Sequence, residues 1–246
     1  MGGVEAIDFK WYKKLGARMN LLDNFYRSFD TLTNKIGPRI PFTGSHIIRK
    51  RLSGSGSLLD VGCGAGVTMA NLNRDKHFNY VIGVDIHRPY LNSCKMNNTH
   101  NDIVQADIRH LPFMPQSFDY VIGLEVLEHL EKEDGYELLK SLQHIAKKGV
   151  VLALPAGHYG QHAYDSNLFQ EHRSQWTPQE MKNLGFKVNV SSIRGLGGEW
   201  RGRGNGIWLL LDISYRLFSV AITPLVTIMP IFAGHMVCYK RIASAD

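Results

Sequence analysis

The chain has 246 residues, of which 44% are hydrophobic and 20% are charged. These values suit one larger globular domain with a sizeable core, and they exclude disordered, collagen-like and disulfide-scaffold proteins. The three cysteines are scattered without CxxC or Cys/His spacing, so we expect no zinc module and a reducing, cytoplasmic compartment. The first twenty residues carry six charged side chains, so we expect no ordinary secretory signal.

Positive charge is concentrated at the start of the chain. Residues 1–52 carry ten Lys/Arg and four Asp/Glu, whereas the remaining 194 residues carry eighteen of each. Apolar side chains recur there every three or four positions, at Tyr12, Leu15, Met19, Leu22, Tyr26 and Phe29. We therefore predict a basic amphipathic helical segment over 1–52, ahead of a main domain at 53–246. Its lysines are either solvated on a packed helix or in contact with the phosphates of a lipid surface or nucleic acid.

From Ser57 onward, short β-branched runs alternate with helical stretches, which is the pattern of a parallel sheet covered on both faces. Strands are predicted at 57–61, 80–85, 102–106, 118–124, 149–154, 186–192 and 235–241. A later helix is predicted to begin at Thr177, with Pro178 in its first turn and Glu180 completing a capping box, and to end near Gly185.

A glycine-rich turn is the most informative feature. The segment 58–72, LLDVGCGAGVTMANL, runs from a hydrophobic strand through Gly62, Gly64 and Gly66 directly into a helix. Glycines at such a turn let a ligand approach bare backbone, and the first N–H groups of the helix remain available to it.

The surrounding residues indicate which ligand binds. The spacing is GxGxG followed by Val67, whereas the dinucleotide fingerprint has a third small residue, so the pattern counts against NAD. Asp60 at the strand end would repel a diphosphate but could receive an ammonium group. Asp85 closes the second strand, nineteen residues after Gly66, where a carboxylate can accept ribose hydroxyls. Together these residues predict a nucleoside ligand with a cationic end and no phosphate.

The sequence resembles the class I S-adenosylmethionine-dependent methyltransferases. The segments LDVGCGAG, VIGVD, QADIRHLPF and FDYVIGLEVLEHL carry the resemblance, which covers residues 57–154 well and 172–192 loosely. It implies an α/β, Rossmann-like seven-stranded sheet of order 3-2-1-4-5-7-6, with strand 7 antiparallel and helices on both faces. It also implies an enzyme that uses S-adenosylmethionine (S-adenosyl-L-methionine).

The same resemblance implies a role for individual residues. The cofactor-binding residues would be Asp60, Gly62, Gly64 and Gly66 for the methionine moiety, Asp85 for the ribose, Ile86, Asp107 and Ile108 for the adenine, and Glu125 beside the methionine end. Asp107 would bind the exocyclic amine of the adenine, and Ile108 would supply a backbone N–H.

The segment EVLEHL at 125–130 carries two acids one helical turn apart and then a histidine. This ExxEH pattern is similar to that of small-RNA 2′-O-methyltransferases and quinone-biosynthesis O-methyltransferases, in which a metal beside the sulfonium orients a hydroxyl. Glu125, Glu128 and His129 could meet at one divalent ion, with a histidine at 158, 162 or 172 as a further ligand. Because metal-free relatives carry E-H-L at this place and no further ligand is identified, we predict no metal.

A catalytic base is needed only if the acceptor starts protonated. His129 is the first candidate for that base, followed by His158 and His172. Amine-methylating nucleic-acid enzymes of the superfamily carry [DNS]PP[YF] after the fourth strand, where this chain has LEVL. Methylation of an exocyclic base amine is therefore not expected. A hydroxyl, a carboxyl or a non-planar acceptor remains open, and O-methylation is our prediction.

Residues 195–234 form a predicted insertion between strands 6 and 7. Its first twelve residues contain six glycines, which suits a hinge or lid, and residues 217–233 carry no charge. That apolar run is shorter than the roughly 20 residues of a membrane span, and two prolines interrupt it. If strands 6 and 7 pair, the chain leaves and returns on one side. We therefore predict that 207–233 lies on a membrane face or covers an apolar acceptor without crossing the bilayer.

Three functions fit these observations. A methyltransferase for a small-molecule or lipid-type acceptor is favoured, because an apolar insertion with a glycine hinge suits a hydrophobic acceptor. An RNA 2′-O-methyltransferase is the alternative that the ExxEH pattern and the basic N-terminus support. A non-catalytic cofactor-binding module is the third. We expect peripheral membrane contact through 207–233 and the N-terminus, and nucleic acid is the less favoured partner.

Overall fold

The structure is a computed structural model that describes residues 43–52, 56–73, 78–157, 160–163, 167–193, 214, 218, 221–222 and 233–243. The predictions on residues 1–42, on His158 and on almost all of the 195–234 insertion lie outside these described residues.

Seven strands form one sheet of order β3-β2-β1-β4-β5-β7-β6. The strands are β1 Ser57–Val61, β2 Tyr80–Asp85, β3 Asp102–Gln105, β4 Phe118–Leu124, β5 Ala146–Pro155, β6 Lys187–Ile193 and β7 Ala233–Arg241. The first five pair in parallel, whereas β7 runs antiparallel to both of its neighbours, β5 and β6. This topology confirms the strand order and the antiparallel strand 7 that the resemblance implied.

Helices connect the strands. They are α1 Gly44–Arg51, α2 Val67–Leu72, α3 Arg88–Met96, α4 Lys132–Ile145 and α5 Pro178–Asn183, with 3-10 turns at Ile108–His110, Leu127–His129 and Leu168–Gln170. Apolar side chains alternate between two buried clusters along β5: Val150 and Leu152 belong to one cluster, and Val151 and Ala153 to the other. Because successive strand residues point to opposite faces, this alternation confirms a sheet covered on both sides.

Helix α1 belongs to the same core. Thr43 caps it by accepting a hydrogen bond from the His46 N–H at 3.2 Å. Ile48 and the following Leu52 are buried in the cluster on one face of the sheet. The described end of the predicted 1–52 segment therefore packs on the sheet.

The start of α5 agrees with its prediction. The Thr177 hydroxyl accepts the Glu180 N–H at 3.2 Å, and the Glu180 carboxylate accepts the Thr177 N–H at 3.5 Å, which completes the capping box. The helix ends at Asn183, and Gly185 follows with a φ of +84°.

Strand β5 begins three residues earlier than predicted, at Ala146 instead of 149. The pairing of β4 with β5 shifts register between Phe118 and Tyr120. At this irregularity Lys148 is exposed and forms an ion pair with Asp119, with Nζ and Oδ1 2.7 Å apart. Because Lys147 and Lys148 near the start of this strand are charged, the pattern of apolar residues did not show where the strand begins.

The antiparallel pairing of β6 with β7 aligns Val190 with Met236 and Lys187 with Tyr239. The end of β6 and the start of β7 therefore lie at the same edge of the sheet. Among the described residues, no helix is long and apolar enough to cross a membrane. The membrane-face position of 207–233 stays a prediction.

The glycine turn supplies the first testable prediction. Gly66 has a φ of +77°, and a Cβ atom at this position would lie 2.2 Å from Thr99 Oγ1 and 2.9 Å from Cys94 Sγ. We expect Gly66→Ala to lower the free energy of unfolding by about 2–4 kcal/mol, because left-handed strain adds to a steric clash. Urea denaturation measures the loss.

Gly64→Ala is the matched control. Gly64 has a φ of +53°, but a Cβ atom there meets nothing within 4 Å. Its substitution should cost about 1 kcal/mol, through backbone strain alone. Equal losses for the two variants would contradict the proposed clash at Gly66.

Candidate cofactor and active site

A cleft lies at the carboxyl edge of the sheet and holds about 810 Å³ of space, part of it open to solvent. The residues of the predicted site that line it are Gly62, Gly64, Asp85, Ile86, Asp107, Ile108, Glu125 and His129. They follow four different strands, and the carboxyl ends of parallel strands meet at one edge. The fold therefore brings together most of the residues that the sequence analysis singled out.

Asp85 is held in place by the backbone. Its Oδ2 accepts the Gly64 N–H at 2.9 Å, and its Oδ1 accepts the His87 N–H at 2.8 Å. The carboxylate lines the cleft with both oxygens fixed, and each oxygen has a further lone pair. Such a carboxylate can accept hydrogen bonds from two neighbouring hydroxyls, as a ribose presents.

Gly64 leaves the backbone bare toward the cleft. It lines the cleft, and the space that a Cβ atom would occupy is empty to 4 Å. A ligand can therefore approach this peptide closely. Gly66 does not line the cleft; it packs against Thr99 and Cys94 and so shapes the turn.

Asp60 is buried behind the turn, with 4% of its surface exposed. Its Oδ2 lies 3.1 Å from Nε2 of His100, whose Nδ1 is in turn 2.8 Å from the Thr99 hydroxyl. Burial raises the pKa of the Asp60 carboxyl. Asp60 does not line the cleft, and its predicted contact with a ligand ammonium stays a prediction.

Asp107 forms a two-oxygen ion pair with Arg109. The guanidinium Nε donates to Oδ1 at 3.1 Å and Nη2 donates to Oδ2 at 2.6 Å, and these hydrogen bonds lower the pKa of Asp107. Arg109 also lines the cleft and was absent from the predicted site, although an acid two residues before an arginine was a visible local signal. Any contact of Asp107 with an adenine amine must form beside this pair.

Glu125 occupies a strained turn at the end of β4, with a φ of +56°. A non-glycine residue with this backbone is uncommon and marks functional sites. Its Oε1 forms a short ion pair with Nε2 of His235 on β7. Burial by itself raises the pKa of Glu125, but the charge of His235 and its hydrogen bond outweigh burial and lower it. The sequence analysis missed His235, because no local pattern links two residues so far apart.

Glu128 is a buried acid without a partner. It is 3% exposed, and neither carboxyl oxygen has a hydrogen-bond partner among the described residues. Burial and the charge of Glu125 raise the pKa of Glu128 well above its ordinary value. Burying a charged carboxylate without a partner costs free energy, so this group is either protonated or neutralised by a bound cation.

His129 is fixed in one tautomer. Its Nδ1 lies 3.1 Å from the Glu171 carbonyl oxygen, and because a carbonyl only accepts, Nδ1 carries the hydrogen. Burial lowers the pKa of His129, so the ring is neutral at pH 7. The lone pair on Nε2 is therefore available to take a proton or to bind a metal.

A loop from the β5–α5 connection is held against His129. The Glu128 carbonyl accepts the N–H groups of Arg173 and Ser174 at 2.7 and 3.1 Å. The buried Trp176 donates its indole N–H to the Ser174 hydroxyl at 3.0 Å. As a result the ring of His172 contacts that of His129, with centroids 4.9 Å apart.

Glu128, His129 and His172 could hold a metal ion. Each offers one ligand atom, and the three atoms lie within 4.8 Å of one another. One carboxylate and two imidazoles suit a Zn²⁺ or Mn²⁺ ion, and the unpartnered carboxyl of Glu128 fits a cation. The predicted absence of a metal is untested, and the cluster shows which residues would decide it.

Comparison with known proteins agrees with this geometry. Residues 59–154 match the family model described as a methyltransferase domain. This match covers less than half of the chain and supports its resemblance to the class I S-adenosylmethionine-dependent methyltransferases.

Curated relatives are similar to only part of this chain. An 18S rRNA (guanine-N(7))-methyltransferase from Mus musculus is 32% identical over 74 residues, which cover 30% of this chain and 26% of the relative. The chain thus aligns with about a quarter of that relative's length.

Two solved structures show the same fold. A SAM-dependent methyltransferase from Archaeoglobus fulgidus matches with a TM-score of 0.52 at 17% identity, over 87% of this chain and 99% of that one. A putative methyltransferase from Haloferax volcanii, solved in complex with the Trm112 methyltransferase activator, gives a TM-score of 0.53 at 13% identity, over 90% and 96% of the chains.

Asp85 provides the second prediction, on cofactor affinity. We expect Asp85→Ala to weaken binding of S-adenosylmethionine or its demethylated product by about 1–3 kcal/mol, because hydrogen bonds to a carboxylate are lost. Isothermal calorimetry measures the change. Asp102→Ala is the control, since Asp102 lies at the start of β3 and does not line the cleft. Tighter binding of NAD than of S-adenosylmethionine would contradict the assignment of S-adenosylmethionine to this cleft.

Glu128 provides the third prediction, on stability against pH. Its pKa is raised in the folded state, so the folded protein holds this proton more tightly and loses stability as pH rises above about 4.5. In chelator at pH 8 we expect Glu128→Gln to unfold at a higher temperature than the wild type, with the difference shrinking toward pH 4.5. Glu133→Gln, an exposed acid of α4, should show no such trend.

Adding Mn²⁺ or Zn²⁺ to the same samples tests the metal. A cation that binds Glu128 in the folded state raises the unfolding temperature of the wild type and not of Glu128→Gln. If neither ion changes the wild-type temperature, the cluster is not a cation site and the prediction of no metal stands.

Proposed function

We propose that the protein is an S-adenosylmethionine-dependent methyltransferase that O-methylates a small-molecule or lipid-type acceptor. The observation that carries this proposal is the convergence of three features on one cleft: the bare backbone at Gly64, the fixed carboxylate of Asp85 and the strained Glu125. Together they suit a nucleoside with a cationic end, as the sequence pattern predicted.

In this proposal, different residues of the cleft contact different parts of the cofactor. Asp85 accepts the ribose hydroxyls, and Ile86, Asp107 and Ile108 surround the adenine. The carboxylate of Glu125, which His235 partly neutralises, lies beside the sulfonium end and favours the cationic donor over its neutral product. S-adenosylmethionine supplies an electrophilic methyl group and a good leaving group, so the protein mainly has to position the acceptor and exclude water.

His129 acts as the base when the acceptor is a hydroxyl. The acceptor oxygen forms a bond to the methyl carbon as the bond from sulfur to that carbon breaks, and the hydroxyl proton passes to Nε2 of His129. The Glu171 carbonyl supports this role because it holds Nδ1 and leaves the Nε2 lone pair free. His172 touches the ring and is the second candidate; His158 stays the third.

The lipid-type acceptor draws support from the chain outside the described residues. The excess positive charge of 1–52 and the uncharged run 217–233 suit peripheral contact with an anionic membrane surface. In this proposal the protein is cytoplasmic and meets its acceptor at or near that surface.

RNA 2′-O-methylation is the second candidate. Its support is the basic N-terminal segment and the ExxEH pattern. The match over 74 residues to an 18S rRNA (guanine-N(7))-methyltransferase supports an RNA acceptor but not the 2′-hydroxyl. Phosphate contacts make nucleic-acid binding strongly dependent on salt, so acceptor binding that is insensitive to salt argues against it.

Transfer of labelled methyl groups tests both candidates and is the fourth prediction. The protein is incubated with methyl-labelled S-adenosylmethionine and separate lipid, quinone and RNA extracts. We expect label in a lipid or quinone fraction, resistant to ribonuclease. His129→Gln should lower kcat by about 10²–10⁴-fold and leave the cofactor affinity unchanged. Label confined to ribonuclease-sensitive material overturns the proposed acceptor class, and no transfer to any fraction overturns the proposed activity.

A further inference from the structure

A second cavity shares Glu125 with the cofactor cleft. It lies between α1, α2 and the ends of β4 and β5, next to the start of β7, and holds about 810 Å³ of space, part of it open to solvent. Because Glu125 lines both spaces, this cavity adjoins the end of the cleft where we expect the methionine moiety.

The walls of this cavity are mainly apolar. Ile48, Leu72, Leu124, Ala153 and Val237 line it. So does Val67, which is 62% exposed at the first position of α2. An apolar concave surface with few polar groups is the usual form of a small-molecule site.

The polar groups are neutral or paired. Ser45, Thr68 and Asn71 are uncharged, and the two ionisable residues, Glu125 and His235, form an ion pair with each other. Both side chains of that pair keep part of their surface exposed. A hydroxyl complements such a pair, since it can donate to the carboxylate, whose oxygens accept more than one hydrogen bond.

The described lining of this cavity does not favour a nucleic-acid strand. Among the described residues that line it there is no lysine or arginine, whereas proteins that bind phosphate backbones neutralise them with these residues. A neutral occupant fits the walls better than an anion.

We infer that this cavity is the methyl-acceptor subsite and that it takes the hydrocarbon body of a neutral molecule, whose hydroxyl group lies at Glu125, where the cavity adjoins the cleft that His129 lines. The inference rests on the proposed function, because the methyl donor occupies the adjoining cleft. Val67, which the glycine motif shows only as a departure from the dinucleotide pattern, then becomes a residue that sets acceptor specificity.

The test is the fifth prediction and uses the neutral fluorescent probe N-phenyl-1-naphthylamine on the full chain. We expect the probe to bind saturably and 1-dodecanol to displace it at concentrations at least tenfold lower than dodecyl sulfate. Val67→Trp fills the cavity from an exposed helix position and should weaken probe binding at least tenfold. Met96→Trp is the control, since Met96 is 75% exposed on α3 and lines neither space.

Each outcome bears on a different claim. Equal probe affinity in Val67→Trp and the wild type, or displacement of the probe by an RNA oligonucleotide and not by dodecanol, overturns the acceptor subsite. Calorimetry with S-adenosylmethionine on the same samples tests the proposed function separately. Val67→Trp should bind the cofactor like the wild type, and a wild type that binds none overturns the methyltransferase itself.

Discussion

The parallel pairing of β1 with both β2 and β4 positions the glycine turn, Asp85 and Glu125 at the cofactor cleft. Val61, the last residue of β1, is level with Val84 on one side and Gly123 on the other. The chain therefore leaves all three strands at one edge of the sheet, where the glycine turn, Asp85 and Glu125 follow. Hydrogen bonds then fix the parts to each other, since the backbone N–H of Gly64 in the turn donates to the carboxylate of Asp85.

The antiparallel strand β7 completes the site from the far end of the chain. It inserts between β5 and β6, and its register sets His235 opposite Pro155 at the same edge of the sheet. His235 thereby reaches Glu125 and balances its charge. Glu125 lines both the cofactor cleft and the apolar cavity under α1, so this pair lies where the two spaces adjoin.

The buried carboxyl of Glu128 is the least satisfied polar group among the described residues. Its own backbone carbonyl holds the loop of Arg173 and Ser174, which in turn brings His172 to His129. Burying this acid without a partner lowers the stability of the fold, and packing alone does not require an acid here. Buried acids with raised pKa values beside a cleft mark sites of proton or cation chemistry.

Local patterns in the sequence determined the strands, the capping box of α5 and the glycine turn, because each depends on residues a few positions apart. They also determined the ligand class, since Asp85 and the GxGxG turn lie on adjacent strands of a regular βαβ unit. The tertiary structure decided what depends on distant contacts. It paired His235 with Glu125 and His100 with Asp60, and no short-range periodicity encodes such pairs. Likewise, only packing showed that Asp60 lies behind the turn and that Val67 lines a second cavity, because burial is a property of the folded surface and not of the motif.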